Sequence, residues 1–324
     1  MSLSILIVNW NSKDLLRQCL LSIRASCAKL APQVVVVDGG SFDGCGEMIA
    51  NEFAEVEFVQ SNENIGFGRS NNLGFGRVTG DKVLLLNPDT EIRAGAVERL
   101  IAELEQRPDA GLVSPRLLNS DFSPQSSVHM LPRPVRQAFD SEFLRRHLSP
   151  FGLFAPPFDY HPAETAEVEA VAGACMLLWS KAFRELGGFS PEYFMYAEDM
   201  DLCFKIRRAG LKVCYVPDAE IVHHGGASSS VQGNSFAAVM MREALTSYML
   251  LNHGRGHARL FRMATASSAV LKMLLLAPGL FSQSLPRRQH RKAAIAESLS
   301  VLSWCFGRDS RVNAFRVRCS LGET

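Results

Sequence analysis

Over the first 118 residues, short apolar runs alternate with longer stretches whose apolar residues recur at helical spacing. Leu3 to Val8 reads as a strand, and Lys13 to Leu30 as a helix carrying Leu15, Leu16, Cys19, Leu20 and Ile23. The alternation continues with a strand at Val34 to Val37, a helix at Glu47 to Phe53 and a strand at Val56 to Gln60. A Gly- and Asn-rich turn, Asn62 to Gly68, then leads into a helical stretch ending at Arg77. Val83 to Leu86 is a fourth strand and Ala94 to Gln106 a fourth helix. Parallel strands need helical crossovers and are buried on both faces, so this order predicts a mostly parallel central sheet with helices on either side.

After an apolar run at Leu112 to Ser114 the pattern lapses. Seven of the fifteen prolines lie between Asn119 and Pro162, without sustained periodicity. So long an irregular segment is expected either to serve as a lid or an acceptor-side loop or to be a merely tolerated insertion. Order returns at Val168 to Trp179, followed by Gly187-Gly188-Phe189 and by a helix from Glu198 to a stop at Gly210. Lys212 to Val216 is a further strand, and from about Phe236 the period is helical. The expected divisions are 1–118; 119–165, a variable loop; 166–232; and 233–324, a helical, basic extension.

Charge sharpens the picture of the extension. The chain carries +1 overall, but Met241 to Thr324 holds 13 Lys and Arg against 4 Asp and Glu, leaving −8 on the preceding residues. Met263 to Phe281 is apolar apart from Lys272, yet its strongest run, Met273 to Phe281, falls well short of the roughly 20 residues a membrane span needs. Arg287, Arg288, Arg291 and Lys292 follow, a pattern that fits a helix lying on an anionic membrane surface, with an ordinary helical subdomain as the alternative. The basic excess is confined to this tail and lacks an aromatic-basic motif, which argues against nucleic acid as a partner. Eight scattered cysteines read as reduced thiols of a cytoplasmic protein, and the N-terminus lacks the basic region of a secretory signal.

Chemistry-bearing residues follow successive strands: Asn9 and Asn11, then Asp38, then Asn87 and Asp89, with a Gly-rich turn at Gly66 to Gly68. Ligands of open α/β sheets bind at that strand end. Pro88 removes a donor and keeps Asn87 extended, which ends the ladder and lets both polar side chains face a crevice. A carboxylate there suits a divalent ion on a diphosphate, although an isolated Asn-Pro-Asp serves equally as a turn. Glu198, Asp199 and Asp201 open a helix, where negative charge is favoured by the dipole alone.

The ordered set Val8 to Asn11, Val37 to Gly44, Asn64 to Gly74, Leu85 to Thr90, Gly187 to Leu202 and Pro217 to Ser228 resembles the inverting glycosyltransferases of family 2. These have the GT-A fold, and the similarity is greatest to the bacterial rhamnosyltransferase-like branch. The resemblance spans roughly residues 3 to 230. It implies that Asp38 contacts a pyrimidine, and that Asn9, Asn11, Asn64, Gly66, Asn71 and Asn87 line a nucleotide-sugar site. It further implies that Asp89 ligates Mn2+ or Mg2+, with His223 or its neighbour His224 completing the shell. Asp199 matches the general base, supported by Glu198, Asp201 and Gly173. The implied donor is a dTDP- or UDP-linked sugar, dTDP-rhamnose first. The implied acceptor is a saccharide, free or linked to polyprenyl diphosphate, in cell-envelope polysaccharide synthesis at the inner membrane face. Two rivals stand beside it. A sugar nucleotidyltransferase should carry a Gly-rich, basic phosphate loop, which Ile5 to Asn11 does not offer. A noncatalytic nucleotide- or glycan-binding relative would keep the pocket without the base.

Overall fold

A computed structural model describes residues 2–134, 162–225, 234–277 and 285–308. Most of the proline-rich segment, expected as a lid, an acceptor-side loop or an insertion, lies outside these residues. The chain divides into two compact units, one of Met1–Leu131 with Asp159–Val231, the other of Pro132–Phe158 with Gln232–Thr324.

The first unit is built on a sheet of β1 (Leu3–Asn9), β2 (Gln33–Asp38), β3 (Glu57–Gln60), β4 (Lys82–Leu86), β5 (Thr90–Ile92), β6 (Ala110–Leu118), β7 (Pro124–Gln125), β9 (Ala166–Val168), β11 (Cys175–Trp179) and β12 (Lys212–His223). A separate pair joins β8 (Val128–His129) to β10 (Ala170–Val171). The sheet order is β3-β2-β1-β4-β11-β6-β12-β5. Strands β3, β2, β1 and β4 run parallel, as their buried Val, Ile and Leu runs predict. This parallel core bears out the expected mostly parallel sheet; antiparallel neighbours occur where β11 enters between β4 and β6 and where β5 and β9 pair with β12 and β7 with β6.

Alternate residues of each strand pack on opposite faces. Ile5, Ile7, Leu84 and Leu86 meet Leu16 and Leu20 of α1 (Lys13–Cys27) and Leu100 of α4 (Ala96–Gln106), with α2 (Cys45–Glu52) on the same side. Leu6, Val83 and Leu85 meet Phe183 of α5 (Ser180–Glu185) and Leu202 and Ile206 of α6 (Glu198–Arg208). Helix α3 (Phe67–Phe75) lies against β1 and β2. Burying each such aliphatic side chain stabilises the fold by about 1.5–3 kcal/mol.

Two features of this unit depart from the sequence pattern. Strand β12 runs seven residues past Val216, to His223, with a register break against β6 between Val216 and Glu220. Pro217 lacks a ladder donor and sits at that break, a bulge that redirects the strand end. The redirected end pairs with the three-residue β5, Thr90 opposite His223. In addition, the start of the proline-rich stretch is ordered as β7 and β8 rather than loop.

Among the described residues the second unit holds three helices: α7 (Asn234–His253), α8 (Arg255–Leu276) and α9 (Leu285–Cys305). Tyr248, Phe261 and Trp304 are buried among them. The Trp304 indole donates to Glu243 at 2.8 Å, and Arg262 donates to the Trp304 and Cys305 carbonyls at 2.9 and 3.1 Å, a cation where a helix C-terminus favours one. No described helix is long and apolar enough to cross a membrane.

Candidate active site

The carboxyl ends of β1, β2 and β3 bring Asn9, Asp38 and Gln60 into one row, because Asn9 is in register with Asp38 and Asp38 with Gln60. Asp38 is fully buried. Its Oδ1 accepts hydrogen bonds from Asn9 Nδ2 at 2.9 Å, Ser41 Oγ at 2.6 Å and Cys45 Sγ at 3.1 Å, and Oδ2 accepts from Ser41 N and Gln60 Nε2, both at 2.8 Å. Burial pushes the Asp38 carboxyl up, but the bonds from Ser41, Asn9 and Gln60 outweigh it and hold the group below its ordinary value. Five donors satisfy the carboxylate from within the chain, so in this state Asp38 shapes the Gly39–Ser41 turn. Asn11 locks the same turn: its N–H donates to Ser41 Oγ at 2.7 Å and its Oδ1 accepts from Phe42 N at 3.0 Å.

The opposite wall begins at Asn64, whose Oδ1 accepts from Gly66 N at 3.0 Å. Gly66 has φ +92°. A Cβ there would lie 2.4 Å from the Phe194 carbonyl oxygen, so only glycine lets the turn approach the loop before α6. The adjacent Phe67 N–H donates to that oxygen at 3.1 Å. Asn71 is buried, its amide donating to Phe67 O at 3.0 Å inside α3. Asn72, not singled out in the sequence, clasps Phe189 through both its N–H and its carbonyl, at 2.9 and 2.8 Å.

Asp89 follows β4 and is largely buried. The β5–β12 register sets His223 beside it, Nε2 to Asp89 Oδ1 being 3.3 Å, with Asn87 Nδ2 3.4 Å from the same nitrogen. His224 points the other way, to Glu91 at 2.7 Å and Ser120 at 2.8 Å, as alternation along a strand requires. Among the described residues no three of His, Cys, Asp and Glu converge as a ready-made metal cage. The Asp89–His223 pair nevertheless fits a divalent ion: two suitable donors close enough to share one, with a diphosphate left to furnish oxygens.

Asp199 and Glu198 open α6. The two residues before them, Tyr196 and Ala197, have φ of 71° and 61°, and such left-handed backbone costs about 1–2 kcal/mol per non-glycine residue. Asp199 Oδ2 accepts from Gly173 N at 3.0 Å and Oδ1 from Met200 N at 2.8 Å. Burial raises the Asp199 carboxyl, opposed by the charge of His129 and by the Met200 and Gly173 N–H groups. Glu198 Oε2 is buried without a partner, and burial, then the Asp199 charge, push its carboxyl up to about 8. Asp201 is held apart in a buried network, accepting from Ser190 Oγ at 2.6 Å and Tyr193 OH at 3.3 Å.

One short turn ties the two halves of the site together. Gly173 N holds Asp199, and the next carbonyl, Ala174 O, accepts from Asn87 N at 2.9 Å. A crevice at the carboxyl ends of an α/β sheet, rimmed by Asn9 to Gln60 and faced by a carboxylate of raised pKa, has the layout of a nucleotide-dependent transferase.

The chain belongs to glycosyl transferase family 2, whose family model matches residues 4–185. It is therefore a glycosyltransferase, and its relatives place it near the rhamnosyltransferases. The N-acetylglucosaminyl-diphospho-decaprenol L-rhamnosyltransferase of Mycobacterium tuberculosis is 27% identical over 82% of this chain and 88% of its own length. Among solved structures, the mannosyltransferase PcManGT of Pyrobaculum calidifontis, in complex with GDP-Man and Mn2+, covers 98% of this chain and 86% of its own at TM-score 0.55 and 16% identity. GalNAc-T7 with UDP, GalNAc and Mn2+ aligns at TM-score 0.58 and 17% identity over 76% of this chain, which spans 48% of that protein. These likenesses establish the GT-A fold.

Proposed function

We propose that the protein is a divalent-metal-dependent inverting glycosyltransferase that moves a sugar from a pyrimidine nucleotide-sugar, dTDP-rhamnose before UDP-sugars, to a hydroxyl of a lipid-linked saccharide. The observation that carries this reading is the Gly173–Ala174 turn, which grips the carboxylate of Asp199 on one side and the backbone of Asn87 on the other. The name of the mycobacterial relative supports the rhamnose donor and the polyprenyl-diphosphate acceptor, and the Mn2+ in both structural neighbours supports the metal.

In this mechanism Asp38, Asn9, Asn11 and Gln60 shape the base and ribose cradle, and Asn64 and Gly66 close it. Asn71 acts from within α3 by fixing the helix beneath that wall. Asp89 and His223, beside Asn87, hold Mn2+ or Mg2+. A divalent ion held there would supply positive charge against the departing diphosphate. Asp199 takes the proton of the acceptor hydroxyl as the new bond forms to the anomeric carbon. Its raised affinity for a proton suits that task, and the N–H groups of Gly173 and Met200 keep it aimed. Attack from the face opposite the leaving group gives a single displacement with inversion. Burial favours the protonated form of Glu198, which limits the negative charge near Asp199, and Asp201 fixes the helix start.

An exposed face of the second unit supports peripheral attachment to a membrane surface. Leu260, Met263, Val270 and Leu274 form an exposed apolar stripe on α8, with Arg255 and Arg259 exposed at its N-terminal end.

The test is a panel of nucleoside diphosphates and nucleotide-sugars in thermal denaturation, each with and without Mn2+ or Mg2+. The proposal expects metal-dependent stabilisation by one pyrimidine nucleotide-sugar beyond its bare diphosphate, and a product of inverted anomeric configuration with that donor. Stabilisation by purine nucleotides alone, or a product of retained configuration, contradicts it.

A further inference from the structure

The hydrogen bonds around His223 determine which of its ring nitrogens carries the proton. Asn119 Nδ2 lies 3.3 Å from the Pro124 carbonyl oxygen and 2.9 Å from Ser123 Oγ. A carbonyl only accepts, so this end of the Asn119 amide is the NH2 and the other end is its oxygen. That oxygen receives Gln125 Nε2 at 3.0 Å, and the same NH2 donates to the His223 carbonyl at 3.2 Å. Both Gln125 donors are thereby committed, which leaves Gln125 Oε1 facing His223 Nδ1 at 2.7 Å. Two acceptors cannot share that distance, so Nδ1 carries hydrogen and donates.

In the neutral ring the lone pair is then on Nε2, the nitrogen 3.3 Å from Asp89 Oδ1 and 3.4 Å from the Asn87 amide. A lone pair turned toward a carboxylate with no proton between them is unfavourable for those two groups alone. It is the arrangement a shared cation requires.

We propose that Gln125, clamped by Asn119, is a positioning residue that holds His223 as its Nδ1–H tautomer and so presents Nε2, with Asp89, to a divalent cation. The inference rests on the metal-dependent reading above and adds to it a residue from β7, in the stretch the sequence pattern assigns to loop. Outer partners of a ligating histidine commonly govern metal affinity by about 10–100-fold.

The experiment uses the full chain labelled with 15N-histidine, together with Mn2+ titration in the presence of dTDP. In the metal-free wild type, the two-bond and three-bond 1H–15N pattern of the His223 ring should report the Nδ1–H tautomer. Gln125→Leu should lose that signature and weaken Mn2+ binding about 10–100-fold. Gln125→Glu keeps an acceptor at Nδ1 but no longer donates to Asn119 Oδ1 and the His223 carbonyl, so it should retain the Nδ1–H signature and bind Mn2+ more tightly than Gln125→Leu though less tightly than wild type, a ranking that tests the idea even if Gln125→Leu folds poorly. Equal Mn2+ affinities for wild type and Gln125→Leu overturn the role of Gln125 while leaving the metal reading in place. An Nε2–H tautomer in the wild type overturns it as well. Failure of the wild type itself to bind Mn2+ with dTDP overturns the metal reading and this inference together.

Discussion

The Gly173 backbone N–H donates to the Asp199 carboxylate at 3.0 Å, and a Cβ on Gly173 would sit 3.1 Å from Asp199 Cβ and 3.3 Å from its Oδ2. The proposed base is thus aimed by a backbone that must pass within contact of it. Gly173→Ala should push the carboxylate off line. We expect kcat to fall about tenfold or more while donor affinity stays near wild type, because misplacing a reacting group by about an ångström can cost about 100-fold. Steady-state kinetics with calorimetric donor binding measure both quantities.

Glu198 and Asp199 give a pH signature with a definite sign. Burial, reinforced by the Asp199 charge, raises the Glu198 carboxyl from 4.5 to about 8. Between those values the folded chain binds more protons than the unfolded one. The stabilisation is therefore complete below 4.5 and is lost as the pH rises through about 8. Glu198→Gln removes the ionisation, so its melting temperature should exceed that of wild type by a few degrees at about pH 9, with the gap closing toward about pH 5. Transfer at neutral pH should survive this substitution. Loss of transfer as severe as on removing Asp199 would move the role of base to Glu198.

Gly66→Ala tests the seam between the Asn64 turn and the Phe194 loop. The new Cβ would meet a backbone oxygen at 2.4 Å, and φ +92° is poor for any side chain. Neither partner can yield by rotating a side chain. A destabilisation of about 2–4 kcal/mol is expected, read as a lowered midpoint in urea with an unchanged slope, together with weaker nucleotide binding.

Ala197, at φ 61°, stores strain immediately before the base. Ala197→Gly should remove part of it, raising stability by up to about 1 kcal/mol, yet lower kcat because α6 then starts less rigidly. Equilibrium unfolding and kinetics on the same preparation distinguish this from a neutral change.

Attachment to anionic lipid is expected to depend on the α8 stripe. Met263→Glu with Leu274→Glu places charge on an exposed apolar face, so folding should be unaffected while cosedimentation with phosphatidylglycerol vesicles at low salt falls severalfold. Wild-type protein that stays in the supernatant contradicts the membrane assignment itself.

The sequence pattern revealed what depends on local order. The strand runs from Leu3 to Leu86, the Asn-Pro-Asp end of β4 and the acidic start of α6 were all legible because each is a contiguous signal. Features that depend on distant pairing were not. The three-residue β5 is too short to show a period, and only its register with β12 brings Asp89 to His223 and turns His224 away. Asp38 and Gln60 could have been linked, since polar residues ending neighbouring parallel strands face the same crevice. Gln125 and His129 lie in an aperiodic stretch where nothing marks one polar residue above another, and their partners are contributed by strands and helices far along the chain.

The central claim is that Asp199 removes the acceptor proton at a site whose donor grip does not need it. The most direct measurement compares Asp199→Asn with wild type in transfer rate and in metal-dependent binding of the nucleotide-sugar. The account predicts donor affinity within about threefold of wild type and a rate lowered by about 100- to 10,000-fold. Transfer that persists at a near wild-type rate, across neutral pH and with the same donor, would contradict it.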